Sequence, residues 1–429
     1  MVAGMAKSGF AAVELLLRHG AKVRAIDSNP DEPMRERLAR FGVELSDQKP
    51  DAFFKADLIV LSPGVPVETV PTGTPPVIGE LELASYYLQG PVIGITGSNG
   101  KTTTTALTGH ILKESGIPSQ VGGNIGTPPA AMIDASRADQ WNVLELSSFQ
   151  LETIHEFRAT VGACLNVTQN HLDRHGTLDN YSNAKARLLE TMDASGHAVL
   201  NHDNPITRGF ADRTKARVWW FSMSQPVSPG FFLRGSTIVS DEGELMNIGE
   251  IQLRGMHNVE NVMAAAAICR IAGASHADIR AAVRTFAGVE HRIEFVRKLN
   301  GVDYYNDSKA TSVDATLKAI DAFPGGLWII LGGKDKGSDY RLLRESLQRK
   351  AKAALLIGAA ASKIAGHLDG ALPLIQCGDI ERAVHTGNEQ ATAGDTVLLA
   401  PACASFDQFR SFEHRGDVFK QIVRGLKES

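Results

Sequence analysis

The chain contains 429 residues, carries a formal net charge of −4 at pH 7 and has a pI near 6.4. At roughly 100–200 residues per domain, this length favours two to four domains, and the lack of a basic excess argues against nucleic acid or an anionic membrane as the main partner. The four cysteines form no CxxC pair, so we expect neither a disulfide framework nor a zinc site. Neither a membrane-spanning apolar run nor an export signal is present, so we expect a cytoplasmic globular protein that acts on a small molecule.

The N-terminal segment predicts a βαβ unit. MVAGMAKSGF, AAVELLLRHG and AKVRAID indicate a strand end, a glycine turn, an amphipathic helix and a second strand ending at Asp27. The first strand is short, because only Met1–Ala3 precede Gly4. The proline- and glycine-rich stretch VETVPTGTPPVIGE then predicts that a first, Rossmann-like domain ends near residue 80.

The rest of the chain predicts two further α/β domains. PVIGITG, WNVLELSS, ATVGACLNVT and HAVLNHD alternate with helical segments, which indicates a mostly parallel sheet with helices on both faces. Residues 216–254 are β-branched or aromatic between turn residues and predict a small antiparallel excursion. A second boundary near Gly288–Arg292 gives a central P-loop-type domain of residues 81–288 and a C-terminal Rossmann-like domain of residues 289–429.

The segment TGSNGK lies between a predicted strand and a predicted helix. Such a turn directs backbone N–H groups and the positive end of a helix dipole at an anion. Lys101 would contact distal phosphates and the Thr102 hydroxyl would ligate Mg²⁺. The strict P-loop pattern requires a glycine where Ile95 stands, so the loop is a variant. The alternative is a glycine turn with a solvated lysine. The predicted ATP-binding residues are Gly97, Ser98, Asn99, Gly100, Lys101, Thr102 and Thr103.

Four more polar residues follow predicted strands or lie on a predicted helix of the central domain. Glu145 ends a buried strand, where a carboxylate needs a cation or a donor. His171 and Asp173 follow the next strand on the edge where ligands gather in open α/β sheets, although a lone histidine is more often structural. Lys185 lies on a predicted helix, and its spacing alone predicts a solvent-exposed side chain.

Nine motifs follow one another as they do in the Mur ligases, and they span nearly the whole chain. The GKT loop and the HNxxN helix also occur in the wider family, which includes folylpolyglutamate synthetases, whereas SSFQLE, NDSKAT and ACASFDQF resemble the branch that adds D-glutamate. The motifs are TGSNGKTTT, GNIG, LELSSFQLE, NVTQNHLDRH, GMHNVENVMAA, EHR, YYNDSKAT, LGGKDK and PACASFDQF.

This resemblance implies a three-domain ligase of peptidoglycan precursor synthesis. The N-terminal domain would bind the UDP end of UDP-N-acetylmuramoyl-L-alanine, the central domain ATP with two Mg²⁺ ions, and the C-terminal domain D-glutamate. The alanine carboxylate would become an acyl phosphate, which the amine of D-glutamate then attacks. Divalent ions and lysines are needed because the triphosphate and the carboxylate repel each other.

The resemblance also implies a role for individual residues. Lys101, Glu145, His171 and Lys185 would be catalytic. Thr102, Glu145, His171 and Lys185 would support Mg²⁺, the last as a lysine carbamylated by CO₂. Asn258 and Asn261 would contact the adenine, unless they are ordinary polar helix residues, and Arg292, Asp307 and Lys309 would reach ATP when the third domain closes. The substrate positions are Thr311, Lys336, Ser405 and Phe412 for D-glutamate, Asn124 and Ser147 for the muramoyl-alanine end, and Ser8, Asp27, Ser28, Ser62 and Gly64 for the uracil and diphosphate.

The sequence departs from the family pattern at two places. Asn170 stands where an acidic residue commonly precedes the motif histidine, which predicts weaker Mg²⁺ binding. The first strand is also short, which weakens the prediction of a uracil pocket in the N-terminal domain.

Three alternative functions remain open at this stage. They are a neighbouring Mur ligase or folylpolyglutamate synthetase-like enzyme, an ATP-binding switch, and an NAD oxidoreductase that rests on Gly4 and Asp27. We expect a monomer without nucleic-acid or membrane partners.

Overall fold

The computed structural model describes residues 1–427, apart from the side chain of Asp173. The chain forms two compact units. The first contains Met1–Gln252 and Met256–Phe286, and the second contains Leu253–Gly255 and the chain from Ala287 onward. The predicted three-domain α/β fold is confirmed, with one sheet for each predicted domain, and the first compact unit holds two of the three sheets. The boundaries at residues 80 and 288 stay predictions.

The N-terminal sheet is parallel, with the strand order β3-β2-β1-β4-β5. The predicted short first strand is confirmed, yet it is central, because Val2 and Ala3 pair with both neighbouring strands and are fully buried. The elements are β1 (Val2–Ala3), α1 (Lys7–Arg18), β2 (Ala25–Asp27), α2 (Glu32–Ala39), β3 (Leu45–Asp47), β4 (Ile59–Leu61), β5 (Val77–Gly79) and α3 (Glu80–Ser85).

The central sheet has the order β14-β13-β12-β11-β10-β9-β6-β8-β7. Its middle strands are buried on both faces, which explains their nearly continuous apolar sequence. The strands are β6 (Val92–Thr96), β7 (Ser119–Gly123), β8 (Trp141–Glu145), β9 (Val161–Cys164), β10 (His197–Asn201), β11 (Arg217–Ser222), β12 (Gly230–Arg234), β13 (Thr237–Ser240) and β14 (Gly243–Asn247). The helices are α4 (Lys101–Glu114), α5 (Pro129–Met132), α6 (Ser148–Leu151), α7 (Leu172–His175), α8 (Leu178–Glu190), α9 (Pro205–Gly209), α10 (Met256–Ile271) and α11 (His276–Thr285).

The predicted antiparallel excursion is confirmed in part. β12, β13 and β14 pair antiparallel, but β11 pairs parallel with both β10 and β12. The β-branched and aromatic composition indicates a strand without giving its direction. Here the crossover through α9 returns the chain parallel to β10.

The second unit contains a sheet of order β15-β16-β20-β17-β18-β19, in which only the β15–β16 pair is antiparallel. The apolar segments GVDYYNDS, LWIILGGK, AALLIGA and DTVLLAPA predict four strands of this sheet, whereas β15 and β19 were not predicted from the sequence. The elements are β15 (Glu294–Leu299), β16 (Val302–Asn306), α12 (Val313–Asp321), β17 (Leu327–Gly332), α13 (Arg344–Lys350), β18 (Ala351–Ile357), α14 (Ala361–Leu368), β19 (Leu374–Gly378), α15 (Ile380–Gln390), β20 (Thr396–Leu399) and α16 (Phe412–Gly425). Within residues 1–427, no helix combines the length and apolarity needed to cross a bilayer.

Candidate active site

The predicted phosphate loop lies where β6 ends and α4 begins, as the sequence indicated. Ser98 Oγ donates to the carbonyl of Thr168 over 3.0 Å, and Asn99 N donates to Asn166 Oδ1 over 2.8 Å. The segment after β9 therefore holds the loop in place. β6 lies between β8 and β9 in a parallel arrangement, so the residues that follow all three strands gather at one edge of the sheet.

Gly100 closes this loop in the left-handed region, with φ of 84°. A Cβ at this position would lie 2.3 Å from Asn261 Oδ1. Asn261 accepts a hydrogen bond from Thr104 Oγ1 at 3.3 Å and donates to Asn258 Oδ1 at 2.9 Å, so α10 packs its two predicted adenine-contacting residues against the start of α4. Their contact with adenine stays a prediction.

We expect Gly100→Ala to abolish measurable ATP binding, because the new methyl group would displace Asn261 and the loop. Gly116→Ala is the matched control. Gly116 is also left-handed, with φ of 70°, but nothing lies within 4 Å of an added Cβ. Both variants carry a backbone cost of about 1 kcal/mol, and only the first adds a clash. Isothermal titration with ATP and thermal melting distinguish the two effects, and equal ATP affinities in the two variants would contradict the prediction.

Two lysines meet at the carbonyl of Gly97. Lys101 Nζ and Lys185 Nζ each donate to this oxygen over 2.9 Å, and Lys185 also donates to Thr96 Oγ1 at 3.3 Å. Lys185 is only 1% exposed, so the solvent-exposed side chain that spacing alone predicted is wrong. The buried face of α8 carries it under the loop. Burial lowers the pKa of Lys185 to about 7, and the charge of Lys101 adds to this lowering, while Cys164 and Glu145 oppose it.

Tyr181 joins several of these groups, although the sequence reasoning did not select it. Its hydroxyl lies 3.2 Å from Ser98 Oγ, and Lys185 Nζ lies 4.6 Å from its ring centroid. The ring of His171 lies 6.1 Å from the Tyr181 ring and 5.1 Å from that of Phe149. His171 is exposed and left-handed, with φ of 51°, at the start of α7. The side chain of Asp173 lies outside the described residues.

Glu145 is buried at the end of β8. Its Oε1 accepts from Asn124 Nδ2 at 2.8 Å, and the N–H of Asn124 donates to the Glu145 carbonyl. Its Oε2 has no hydrogen-bond partner among the described residues. A buried carboxylate oxygen without a hydrogen-bond partner favours a bound cation beside it.

The oxygen ligands that Glu145 and Thr102 offer suit Mg²⁺ bound together with a nucleotide. Across the described residues, no three His, Cys, Asp or Glu side chains cluster as a metal site. Mg²⁺ commonly uses one or two carboxylates and completes its shell with waters and substrate phosphates. Glu145 with the Thr102 hydroxyl beside a phosphate loop fits this pattern, and the four predicted metal positions stay a prediction.

Two other predicted substrate residues of the first unit, Ser147 and Asp27, have local hydrogen-bond partners. Ser147 caps α6 in a reciprocal capping box with Gln150. Asp27 accepts from Met5 N at 2.6 Å through one oxygen and from Asn29 N at 2.8 Å through the other. Ser8 lies on α1, Ser28 follows β2, and Ser62 and Gly64 form the turn after β4. The hydrogen bonds fix the side chains of Ser147 and Asp27. The role of all these residues in substrate binding stays a prediction.

In the second unit, the structure brings together the three residues predicted to reach ATP. Lys309 N donates to the carbonyl of His291 at 3.0 Å, so the segments that carry Arg292 and Asp307 lie side by side. Asp307 is buried. Burial raises its pKa to about 7, while Arg292, the N–H of Ile293 and Lys309 act in the opposite direction.

The four predicted D-glutamate residues also belong to this unit. Lys336 Nζ lies 3.5 Å from Thr311 Oγ1. Ser405 is buried, and Phe412 is the first residue of α16. Lys334 and Ala404 pair in an isolated antiparallel bridge, which brings the loop after β17 against the segment that leads to Ser405.

The sequence analysis missed several residues that contact the predicted phosphate loop. Asn166 and Thr168 could have been recognised, because they are polar residues directly after a strand on the loop edge. Tyr181 carries no such local signal, since its importance depends on which distant segments it contacts.

Family models match three consecutive parts of the chain. A Mur ligase MurD-like N-terminal domain matches residues 1–72, a Mur ligase middle domain matches residues 95–269, and a Mur ligase glutamate ligase domain matches residues 291–403. The chain is 60% identical over 432 residues to a UDP-N-acetylmuramoylalanine–D-glutamate ligase of Solibacter usitatus, covering 100% of this chain and 98% of the relative. A protein of the same name from Acidobacterium capsulatum is 47% identical over 439 residues, covering 99% and 95%.

Solved structures show the same fold at low sequence identity. UDP-N-acetylmuramate-alanine ligase from Thermotoga maritima aligns with a TM-score of 0.61 at 17% identity, covering 99% of each chain. MurF from Acinetobacter baumannii aligns with a TM-score of 0.60 at 18% identity, covering 86% of this chain and 85% of its own. With its domains matched in order and relatives similar along its full length, this chain belongs to the Mur ligase family.

Proposed function

We propose that this chain is an ATP-dependent ligase that joins D-glutamate to UDP-N-acetylmuramoyl-L-alanine, producing ADP and phosphate. The observation that carries the proposal is the 60% identity, over the full chain, to a relative named for this activity. The proposed setting is peptidoglycan precursor synthesis. The cytoplasmic location and the monomeric state stay predictions.

The proposed reaction has two steps. An oxygen of the alanine carboxylate attacks the γ-phosphorus of ATP, and the bond to ADP breaks. The amine of D-glutamate then attacks the carbonyl carbon of this acyl phosphate, phosphate leaves and the amine loses a proton. The first step brings anions together, and each pair of unit charges at 4 Å repels by about 4 kcal/mol near a protein surface.

Residues of the first unit would reduce this repulsion. The backbone N–H groups of the loop and the start of α4 would bind phosphate oxygens, and Lys101 would add a positive charge. Thr102, Glu145, His171 and a carbamylated Lys185 would hold two Mg²⁺ ions. When bound, Mg²⁺ supplies positive charge to the phosphate oxygens. Glu145 Oε2, which has no hydrogen-bond partner among the described residues, supports the assignment of Glu145.

The second unit would bind the amino acid. D-glutamate has a carboxylate at each end, so its pocket needs cationic and hydrogen-bond donors at two places. Lys336 and Thr311, which lie within 3.5 Å of each other, would serve one of them, and Ser405 with the start of α16 would serve the other.

Phosphate release from ATP tests the proposal. UDP-N-acetylmuramoyl-L-alanine and D-glutamate are supplied singly and then together, and we expect sustained release only with both. Release that is indifferent to D-glutamate would contradict ligation and favour a nucleotide switch. A panel of D-glutamate, L-glutamate, L-alanine and a diamino acid separates the proposed reaction from those of neighbouring ligases.

Substitution of Asn170 should have a small effect on the Mg²⁺ dependence of activity. The Asn170 side chain is exposed and accepts a hydrogen bond from His171 N at 2.9 Å, at the position where the resemblance to the family leads us to expect an acid. We expect Asn170→Asp to lower the Mg²⁺ concentration for half-maximal activity about two- to fivefold, as ~0.5–1 kcal/mol of exposed electrostatics would give. Asn183→Asp is the control. It adds the same charge on α8 beside Arg213 and should leave the Mg²⁺ dependence unchanged. An unchanged dependence in Asn170→Asp would remove this residue from the metal region.

A further inference from the structure

Arg415 is a fully buried arginine on the second turn of α16, three residues after Phe412. Its guanidinium donates from all three nitrogens. Nε donates to Ser308 Oγ over 2.9 Å and Nη2 to the carbonyl of Ser308 over 2.8 Å, while Nη1 donates to the carbonyls of Cys403 and Ala404 over 3.2 and 3.4 Å. Within the described residues, no carboxylate lies within ion-pair distance of Arg415.

These four contacts join segments that are far apart in the sequence. Ser308 belongs to the turn that carries Thr311, and the carbonyls of Cys403 and Ala404 directly precede Ser405. Ser308 Oγ also donates to the carbonyl of Phe412 over 2.8 Å.

A fourth segment is attached through one further pair of hydrogen bonds. The N–H of Lys334 donates to the carbonyl of Ala404 over 2.8 Å, and the N–H of Ala404 returns a bond of 3.2 Å. This bridge fixes the loop that carries Lys336. Thr311, Lys336 and Ser405 therefore lie on segments that Arg415 contacts directly or through Ala404, and Phe412 lies on the same helix as Arg415.

Stability alone does not account for an arginine at this place. Burying a guanidinium without a carboxylate costs several kcal/mol of desolvation, and well-packed apolar residues of similar volume commonly replace buried charges without loss of stability. An apolar residue, however, could not donate hydrogen bonds from α16 to two other segments at once. Only the planar, forked donor set of arginine reaches them together, and lysine would supply its donors from a single point.

We propose that Arg415 is the positioning residue of the amino-acid pocket, and that its fork sets the relative placement of Thr311, Lys336, Ser405 and the start of α16. This inference rests on the proposed function. Arg415 does not contact the amino acid, and it acts on binding through the segments that it joins. Since small misplacements of binding groups have large kinetic consequences, its loss affects D-glutamate more than ATP or the UDP-linked substrate.

Steady-state kinetics of Arg415→Lys in the full chain test this inference. We expect the KM for D-glutamate to rise about tenfold, while the KM values for ATP and for UDP-N-acetylmuramoyl-L-alanine stay within about twofold. The matched control is Arg297→Lys. Arg297 also donates through its guanidinium to backbone carbonyls, those of Val423, Arg424 and Leu426 at the other end of α16. The control should leave the KM for D-glutamate unchanged.

Ser308→Ala provides a second, milder variant, because it removes the acceptor of Arg415 Nε and the donor to Phe412. It should raise the KM for D-glutamate in the same selective way, and it decides the question if Arg415→Lys does not fold. A rise of all three KM values together, or an unchanged KM for D-glutamate in a folded variant, would overturn the inference. Failure of the proposed function is recognised separately, because the unsubstituted chain would then release phosphate without requiring D-glutamate.

Discussion

Glu145→Gln is expected to lower kcat about 100-fold, or ~2.7 kcal/mol in the activation free energy, while the protein keeps its fold. Glutamine has nearly the same shape, and its oxygen can still accept from Asn124 Nδ2. The substitution removes the negative charge at Oε2, the atom that has no hydrogen-bond partner among the described residues. A metal bound there would lose a carboxylate ligand. The loss should be relieved in part by high Mg²⁺ concentrations.

Glu82→Gln is the matched control for this experiment. Glu82 is also fully buried, but its oxygens accept from the N–H groups of His155, Glu156 and Phe157 and from the Tyr86 hydroxyl. An amide NH₂ cannot accept these bonds, so we expect a loss of stability of about 1–3 kcal/mol. The turnover of the folded protein should be unchanged. Glu145→Gln should thus lower turnover while the protein keeps its fold, and Glu82→Gln should lower stability without changing turnover. Full turnover in Glu145→Gln would contradict the metal assignment.

Lys185→Met is the second substitution with a large expected effect. We expect kcat to fall about 100-fold, because the anionic carbamate that would support Mg²⁺ can no longer form. The melting temperature should be equal or higher, since a buried amine that burial makes costly to ionise is replaced by an apolar side chain of similar length. Retained turnover in this variant would exclude a catalytic carbamate.

The pH dependence of carbamylation follows from the lowered pKa of Lys185. The free amine reacts with CO₂ and the ammonium does not. With a pKa of about 7 instead of 10.5, the amine is mostly protonated at pH 6 and mostly free at pH 8. At a fixed concentration of dissolved ¹³CO₂, the carbamate signal in NMR spectra should therefore rise from pH 6 to pH 8. Lys113→Met, a substitution in the last turn of α4, should leave that signal unchanged.

Much of the fold could be predicted because its signals are local. The buried parallel strands read as short apolar runs, and the glycine turn before Lys101 lies between a strand and a helix in both the prediction and the structure. β15 was missed although a local signal existed. Asn300 and Gly301, both with positive φ, form the tight turn of its hairpin with β16, as an Asn-Gly pair between two strands indicates.

The sequence by itself determined the position of the loop between a strand and a helix, the strand-end position of Glu145 and the motifs that indicate the family, because each depends on neighbouring residues. Only the tertiary structure decided that Lys185 is buried beside Lys101, that Tyr181 lies between the loop and His171, and that Arg415 joins three segments of the second unit. These contacts link residues far apart in the chain. Their distances follow from strand order and from the packing of helix faces, which spacing within one segment does not specify.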